Sequence, residues 1–224
     1  MAVIINLETA TTNCSVSIAR NGELIQLRED NSPQYSHSEQ LHLFVQEALQ
    51  EASLSFRDIS AIAVSKGPGS YTGLRIGVSA AKGLCFSLDL PLISVPTLEV
   101  LAKQEVDKGH DFIVPLLDAR RMEVYSAVYN ARGEQIRETK AEIVQNESYG
   151  EYAEKGKVLL IGNGADKCRE LLGHPNFIFK SALPSSREMA DLSHKKFRSG
   201  QFEDVAYFEP FYLKDFILHG KGPQ

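Results

Sequence analysis

Short segments that are apolar or alternate between apolar and polar residues separate longer segments in which apolar residues recur every three or four positions. The first pattern, in AVIINLE, CSVSIAR, ELIQLRE and ISAIAVS, predicts β-strands, and the second predicts helices with one apolar face. Asn21-Gly22 stands between two of these strands and indicates a hairpin turn. The chain is therefore predicted to begin with three strands, the last two of which form a hairpin.

Two amphipathic helices are predicted in the first half of the chain. The first begins near residue 38, and its apolar face carries Leu41, Phe44, Val45, Ala48, Leu49 and Ala52. A strand and a glycine-rich loop follow, and a second helix over about 72–87 carries a stripe of Leu74, Val78, Ala81, Cys85 and Leu88. The strand LPLISV and a helix that starts at Pro96-Thr97 complete this half.

The order of these elements begins again after residue 111. FIVPLLD ends in an acid as the first strand does, EVYSAVYN and EQIRE follow around a turn at Arg132-Gly133, and KVLLIGNGADKCRELL repeats strand, glycine turn and helix. KQEVDKGHD, 103–111, marks the boundary. We predict an N-terminal lobe over 1–105 and a C-terminal lobe over 106–224, reduced because only SREMADLSHKKFRSG forms a convincing helix there.

Two halves that each start with a β-hairpin and an acid at a strand end predict an α/β, duplicated actin-like ATPase (ASKHA) fold. In that architecture the halves face each other across a cleft, which the acidic strand ends, here Glu8 and Asp118, and the hairpin turns line. The positions that could retain a remnant of a nucleotide site are Glu8, Thr9, Thr12, Gly67, Gly69 and Gly164.

The loop SKGPGSYTGLRIG matches none of the three enzymatic motifs that it suggests. A phosphate loop needs Lys and a hydroxyl directly after its last glycine, but Gly73 is followed by Leu74 and Arg75. The G-x-G-x-x-G spacing fails, and the centre of GSYTG is Tyr71 where a nucleophile elbow needs serine. Two interpretations remain: tight packing against small residues, or contact between an anion and the helix N-terminus.

Composition narrows the class of protein. Hydrophobic residues make up 43% and charged residues 24%, the net charge is −5, and no Lys/Arg run exceeds two residues, which argues against autonomous nucleic-acid binding. Three dispersed cysteines and isolated histidines argue against a disulfide framework and a zinc site. With neither a signal peptide nor an apolar run of about 20 residues, we expect a cytoplasmic protein without a membrane span.

LETATTNCSVSI, SKGPGSYTGLRIGVSAAKGL and LDARRMEVYSAVY closely resemble the bacterial TsaB family, also called YeaZ. The resemblance is strongest over about 3–130 and continues more weakly to PFYLKDF. It implies a role in the transfer of a threonylcarbamoyl group to N6 of adenosine 37 in tRNAs that read codons starting with A. In that family the transfer is performed by the paralogue TsaD with the ATPase TsaE, and the TsaB subunit is a non-catalytic partner that dimerises with TsaD.

The resemblance also implies which sites are lost and which surface is used. TsaD-type sequences carry a metal-binding His-x-x-x-His motif where this chain has Thr97 and Leu101, so no metal is expected. The glycine loop would start a helix that packs with the LHLFVQEALQ helix into an intersubunit bundle. The interface residues, expected to be partly exposed in the monomer, are Leu41, Phe44, Val45, Ala48, Leu74, Arg75, Val78, Ala81 and Cys85.

Further expectations concern partners and ligands. The chain alone is expected to form a homodimer through the same face, to meet tRNA only through the complex, and to hold no cofactor apart from ATP or ADP at the partner interface. Two alternatives stay open: an autonomous actin-like ATPase or small-molecule kinase, and a hydrolase that uses Ser70.

Overall fold

The computed structural model describes residues 1–31 and 37–214 and contains two five-stranded sheets. The first sheet consists of β1 (Val3–Glu8), β2 (Cys14–Arg20), β3 (Glu23–Asp30), β4 (Ala61–Gly67) and β5 (Leu92–Pro96). Its order is β3-β2-β1-β4-β5, in which β1, β2 and β3 are antiparallel and β1, β4 and β5 are parallel. The three predicted N-terminal strands are thus confirmed.

The second sheet repeats the first. It consists of β6 (Phe112–Asp118), β7 (Glu123–Asn130), β8 (Gln135–Ile143), β9 (Val158–Ile161) and β10 (Phe177–Lys180). Its order, β8-β7-β6-β9-β10, places each strand where its counterpart lies in the first sheet, with the same antiparallel and parallel neighbours. The predicted duplication and the actin-like fold class are confirmed.

The helices show why the second lobe is smaller. In the first lobe, α1 (His37–Glu51) and α2 (Tyr71–Leu88) cover one face of the sheet, and a short 3-10 helix (Phe56–Asp58) precedes β4. Their counterparts in the second lobe, α4 (Gly150–Ala153) and α5 (Ala165–Cys168), have only four residues each. Within the described residues no helix is long and apolar enough to cross a membrane.

The last helix of each half lies against the sheet of the other half. α3 (Thr97–Lys103) contributes Leu98 and Leu101 to the core of the second sheet. α6 (Ser186–Arg198), which follows the second sheet in the chain, contributes Met189 and Leu192 to the core of the first sheet. By chain order α6 falls in the predicted C-terminal lobe, but its apolar face is buried under β1, β4 and β5 of the first sheet. The lobe boundary itself stays a prediction.

Alternation along β1 explains this two-sided burial. Val3, Ile5 and Leu7 point toward α1 and α2, whereas Ile4 belongs to the core beneath α6. Side chains of successive residues in a strand point to opposite faces, so a strand covered on both faces must be apolar at nearly every position. This is why AVIINLE is an almost uninterrupted apolar run.

Candidate partner surface and inter-lobe cleft

The glycine loop packs closely against the turn between β1 and β2. A Cβ added at Gly69 would lie 2.5 Å from the carbonyl oxygen of Ala10, and one at Gly73 or Gly77 would collide with Thr9. The Thr9 hydroxyl donates a hydrogen bond to the Gly73 carbonyl at 2.8 Å. Of the two interpretations of this loop, tight packing is the one that its geometry supports.

Ser70 caps the helix that follows the loop. Its Oγ accepts a hydrogen bond from the Gly73 N–H at 3.3 Å, and the Leu74 N–H donates to its carbonyl at 2.9 Å. A serine at the N-cap satisfies donors that would otherwise be available to an anion or a substrate oxygen. The hydroxyl of Ser70 thus has a structural function at the start of α2.

The two acids at the strand ends have unlike surroundings. Glu8 is fully buried, its Oε1 accepts the Ala10 N–H at 2.7 Å, and its Oε2 has no hydrogen-bond partner. Burial raises the pKa of Glu8 to about 7, against the lowering effect of the hydrogen bond from the Ala10 N–H. Asp118 is exposed and forms an ion pair with Lys167. The expectation that both acids face a cleft is wrong for Glu8.

An open cleft of about 610 Å³ separates the lobes. Its walls are formed by Thr12, Asn13, Glu29, Asn31, Asn163, Ser181, Ala182 and Leu183. Of the six predicted nucleotide-contacting residues, Thr12 lies in this lining; Glu8 and Thr9 are buried, Gly67 and Gly69 belong to the glycine loop, and Gly164 packs on the Leu116 carbonyl. Nucleotide contact by this set stays a prediction.

Apart from Thr12, sequence reasoning did not select the polar residues that line this cleft. The Asn13 side-chain amide donates to Glu29 at 3.4 Å and to the Pro184 carbonyl at 3.1 Å, and Ser185 Oγ donates to the same Glu29 carboxylate at 2.6 Å. Asn13 and Pro184 are 171 positions apart. No local pattern in the chain signals a contact of that separation.

The positions where TsaD-type sequences have histidines lie in the interior. The Thr97 hydroxyl forms hydrogen bonds with Ser65 Oγ at 2.7 Å and with the Gly67 N–H at 3.1 Å, and Leu101 is packed in the core of the second lobe. Thr97 therefore connects the end of β4 to the start of α3. Within 1–31 and 37–214 no group of three or more His, Cys, Asp or Glu side chains could hold a metal ion.

The predicted partner-binding stripe faces the sheet. Leu41, Val45, Ala48, Leu74, Val78, Ala81 and Cys85 are buried within the single chain, Phe44 is half-buried and Arg75 is exposed. The expectation that this stripe is partly exposed in the monomer is wrong. Its residues repeat with helical periodicity because they cover β1, β2 and β4, and this requirement alone accounts for them.

The opposite faces of the same helices are open and partly apolar. We define the outer α1/α2 face by Leu43 of α1 and by Thr72, Arg75, Ser79, Gly83 and Phe86 of α2, all of which are exposed. The Phe86 side chain is 86% exposed and Leu43 is 49% exposed. No atom lies within 4 Å of a Cβ built at Gly83. This face combines exposed apolar side chains with a site where another backbone could approach closely.

Residues 201–214, which we call the C-terminal strap, border this face. Glu203 pairs with Leu92 at the edge of the first sheet, and Lys82 of α2 donates to the carbonyls of Ala206 and Phe208. Tyr212 stacks on Tyr71 with ring centroids 5.0 Å apart. The strap has no helical or alternating pattern, so sequence reasoning did not identify it.

The two sheets have the same strand order, the last helix of each half packs against the sheet of the other half, and a cleft lies between the halves. These features define a protein with a duplicated actin-like fold. A family model described as "TsaD: tRNA N6-adenosine threonylcarbamoyltransferase" matches residues 32–222. The chain is 30% identical over 229 residues to tRNA threonylcarbamoyladenosine biosynthesis protein TsaB of Escherichia coli, covering 98% of both chains. It is 34% identical over 193 residues to the Bacillus subtilis protein of that name, covering 80% of both.

Two solved structures support the same family assignment as these relatives. YeaZ from Pseudomonas aeruginosa superimposes with a TM-score of 0.79 at 25% identity and covers 95% of this chain and 100% of that one. A second crystal structure, described as an uncharacterized protein with similarity to peptidase YEAZ from Pseudomonas aeruginosa, has a TM-score of 0.86 at 25% identity, with 96% and 100% coverage. The chain belongs to the TsaB (YeaZ) family.

Proposed function

We propose that this chain is the non-catalytic subunit of a tRNA threonylcarbamoyladenosine-forming complex and that it binds the TsaD-type paralogue. Relatives that cover nearly its whole length are named for this biosynthesis. The reaction is the transfer of a threonylcarbamoyl group to N6 of adenosine 37, which the paralogue performs with the help of TsaE. In this proposal tRNA meets the chain within the complex, and the chain holds no resident metal.

The surroundings of Thr97 support the part of the proposal that this chain is not the catalytic subunit. Its hydroxyl is already engaged by Ser65 and the Gly67 N–H, and Leu101 offers only a hydrocarbon side chain. A metal-assisted transfer needs ligands that converge on an accessible ion. Thr97 anchors the start of the glycine loop through its hydrogen bonds, and Leu101 fills part of the core of the second lobe. Both residues therefore have structural functions.

The outer α1/α2 face supports the binding half. An exposed phenylalanine and leucine on adjacent helices are costly in water and are typical of an association surface. Gly83, with open space around it, permits a partner helix to come close. We propose that the paralogue docks on this face, that a second copy of the chain uses it when the paralogue is absent, and that ATP or ADP binds at its margin.

The alternative of an autonomous ATPase or kinase has less support. Among the described residues, the cleft lining contains the Glu29 carboxylate and no lysine or arginine, although a site for nucleotide phosphates usually provides cations or free backbone N–H groups. The predicted phosphate-contacting glycines are closely packed: Gly67 lies against the Phe211 carbonyl, Gly69 against Ala10 and Gly164 against the Leu116 carbonyl.

Gly83→Arg tests the docking surface. A long cation at an open helical position should leave the fold intact and should obstruct close helix approach. We expect a soluble, folded variant that no longer captures the TsaD-type paralogue in a pull-down and no longer supports threonylcarbamoyladenosine formation in a reconstituted reaction.

Gly173→Arg is the matched control, because Gly173 also has nothing within 4 Å of its Cβ and lies in the second lobe. It should retain binding and activity. Full paralogue binding by folded Gly83→Arg would show that the docking surface lies elsewhere.

A further inference from the structure

The turn between β6 and β7 contains two adjacent arginines in a backbone conformation that arginine disfavours. Arg120 has φ 70° and Arg121 has φ 50°. Left-handed φ values bring Cβ close to the following carbonyl oxygen, so such turns usually contain glycine or asparagine. Strain that is retained in an exposed turn suggests that the side chains themselves are needed there.

A lysine of the second lobe fixes this turn. Lys167 Nζ donates to the carbonyls of Arg121 at 2.8 Å and Glu123 at 2.6 Å, and it forms an ion pair with Asp118. Asp118 Oδ1 in turn accepts the Arg120 N–H at 3.0 Å. The backbone of the turn is thus held by Lys167 and Asp118, and no hydrogen bond or ion pair of either arginine side chain to another described residue helps to hold it.

The local charges do not cancel. Asp118 is paired with Lys167, and Glu123 is paired with Lys214 of the C-terminal strap. The guanidinium groups of Arg120 and Arg121 are exposed and form no hydrogen bond or ion pair within 1–31 and 37–214. Both nearby carboxylates are already neutralised, so the turn presents two uncompensated positive charges on a chain whose net charge is −5.

We propose that the Arg120–Arg121 turn binds phosphates of an RNA backbone, so that this chain itself contacts the RNA on which its complex acts. The inference rests on the proposed function. Arginine forms bidentate hydrogen bonds with phosphate, and adjacent arginines can reach neighbouring phosphate groups. An RNA backbone suits the site better than a free nucleotide does, because the turn protrudes into solvent and the lining of the inter-lobe cleft includes neither arginine.

The test compares wild type with Arg120→Asn/Arg121→Asn, since asparagine tolerates left-handed φ and carries no charge. Arg132→Asn is the control: Arg132 is an exposed arginine in the turn at the other end of β7, and the structure assigns it no positive φ. Binding of an unmodified tRNA transcript is titrated at several salt concentrations, with the chain alone and with the chain assembled with the TsaD-type paralogue. Inorganic phosphate and ATP are titrated in the same way. Paralogue capture and the thermal midpoint are measured for every variant.

The double variant should bind tRNA more weakly, and the slope of log K against log salt should become shallower by roughly 1.5–2, as expected for two lost phosphate contacts. Its thermal midpoint should stay the same or rise, because the strain is relieved. Arg132→Asn should match wild type in all measurements. Affinity reduced through misfolding would instead lower the thermal midpoint.

Unchanged tRNA affinity and salt slope in the double variant, both for the chain alone and for the assembled chain, would overturn the inference. An effect on binding of inorganic phosphate or ATP without an effect on tRNA would also overturn it and would assign the turn to a small anion. Failure of the wild-type chain to capture the paralogue counts against the proposed function alone, since the titrations on the isolated chain still test the turn.

Discussion

Glu8 is expected to make this protein less stable as pH rises from acidic to neutral values. Burial raises the pKa of its carboxyl from 4.5 to about 7, and the unfolded chain has the ordinary value. Between these values the folded chain retains a proton that the unfolded chain releases, so the free energy of unfolding falls as pH rises. The shift from 4.5 to about 7 corresponds to a loss of about 3 kcal/mol once both states are ionised.

Glu8→Gln removes this dependence and keeps the shape of the protonated side chain. The amide oxygen can accept the Ala10 N–H as Oε1 does, and the amide group carries no charge at any pH in this range. We expect the variant to resemble wild type at pH 4.5 and to be more stable at pH 8 by about 3 kcal/mol, or roughly 6–12 °C in thermal midpoint.

The assay is urea unfolding of both proteins followed by far-UV circular dichroism at intervals from pH 4.5 to 8. The difference between the two curves isolates Glu8, because every other titrating group is common to both proteins. A difference that stays constant across this range would refute the reasoning. The same conclusion would follow if wild type gained stability over the variant as pH rose.

Three further substitutions test which helix faces are buried. Ala81 is 0% exposed in the core between α2 and the sheet, so the arginine of Ala81→Arg should be buried without a partner for its charge. We expect the free energy of unfolding to fall by at least about 4 kcal/mol and little soluble protein to form. A soluble variant with the wild-type melting curve would place Ala81 on the surface. Gly73→Ala should destabilise the chain by about 1–3 kcal/mol through collision with the Thr9 carbonyl, whereas Gly83→Ala should stabilise it by about 0.5–1 kcal/mol through helix propensity. Denaturant midpoints compare the two glycine variants, and equal shifts would contradict the packing that distinguishes them.

The sequence alone predicted the elements whose signal is local. The apolar run AVIINLE, the Asn21-Gly22 turn and the second copy beginning at FIVPLLD determined β1, the β2–β3 hairpin and the duplication, because hydrophobic alternation and turn chemistry act over a few residues. The motif SKGPGSYTGLRIG likewise indicated the family, and the comparisons confirmed it.

The tertiary structure alone decided which apolar faces are covered. A helical stripe shows that a helix has a buried side but does not show what buries it; the stripe through Leu74, Val78 and Ala81 faces its own sheet, and the exposed Phe86 lies on the opposite side. α6 follows the second sheet in the chain yet covers the first. The cleft wall joins Asn13 to Pro184, and the charge of the Arg120–Arg121 turn depends on Lys167 and Lys214. Each of these contacts joins segments that are distant in the chain, so the local hydrophobic periodicity of the sequence cannot predict them.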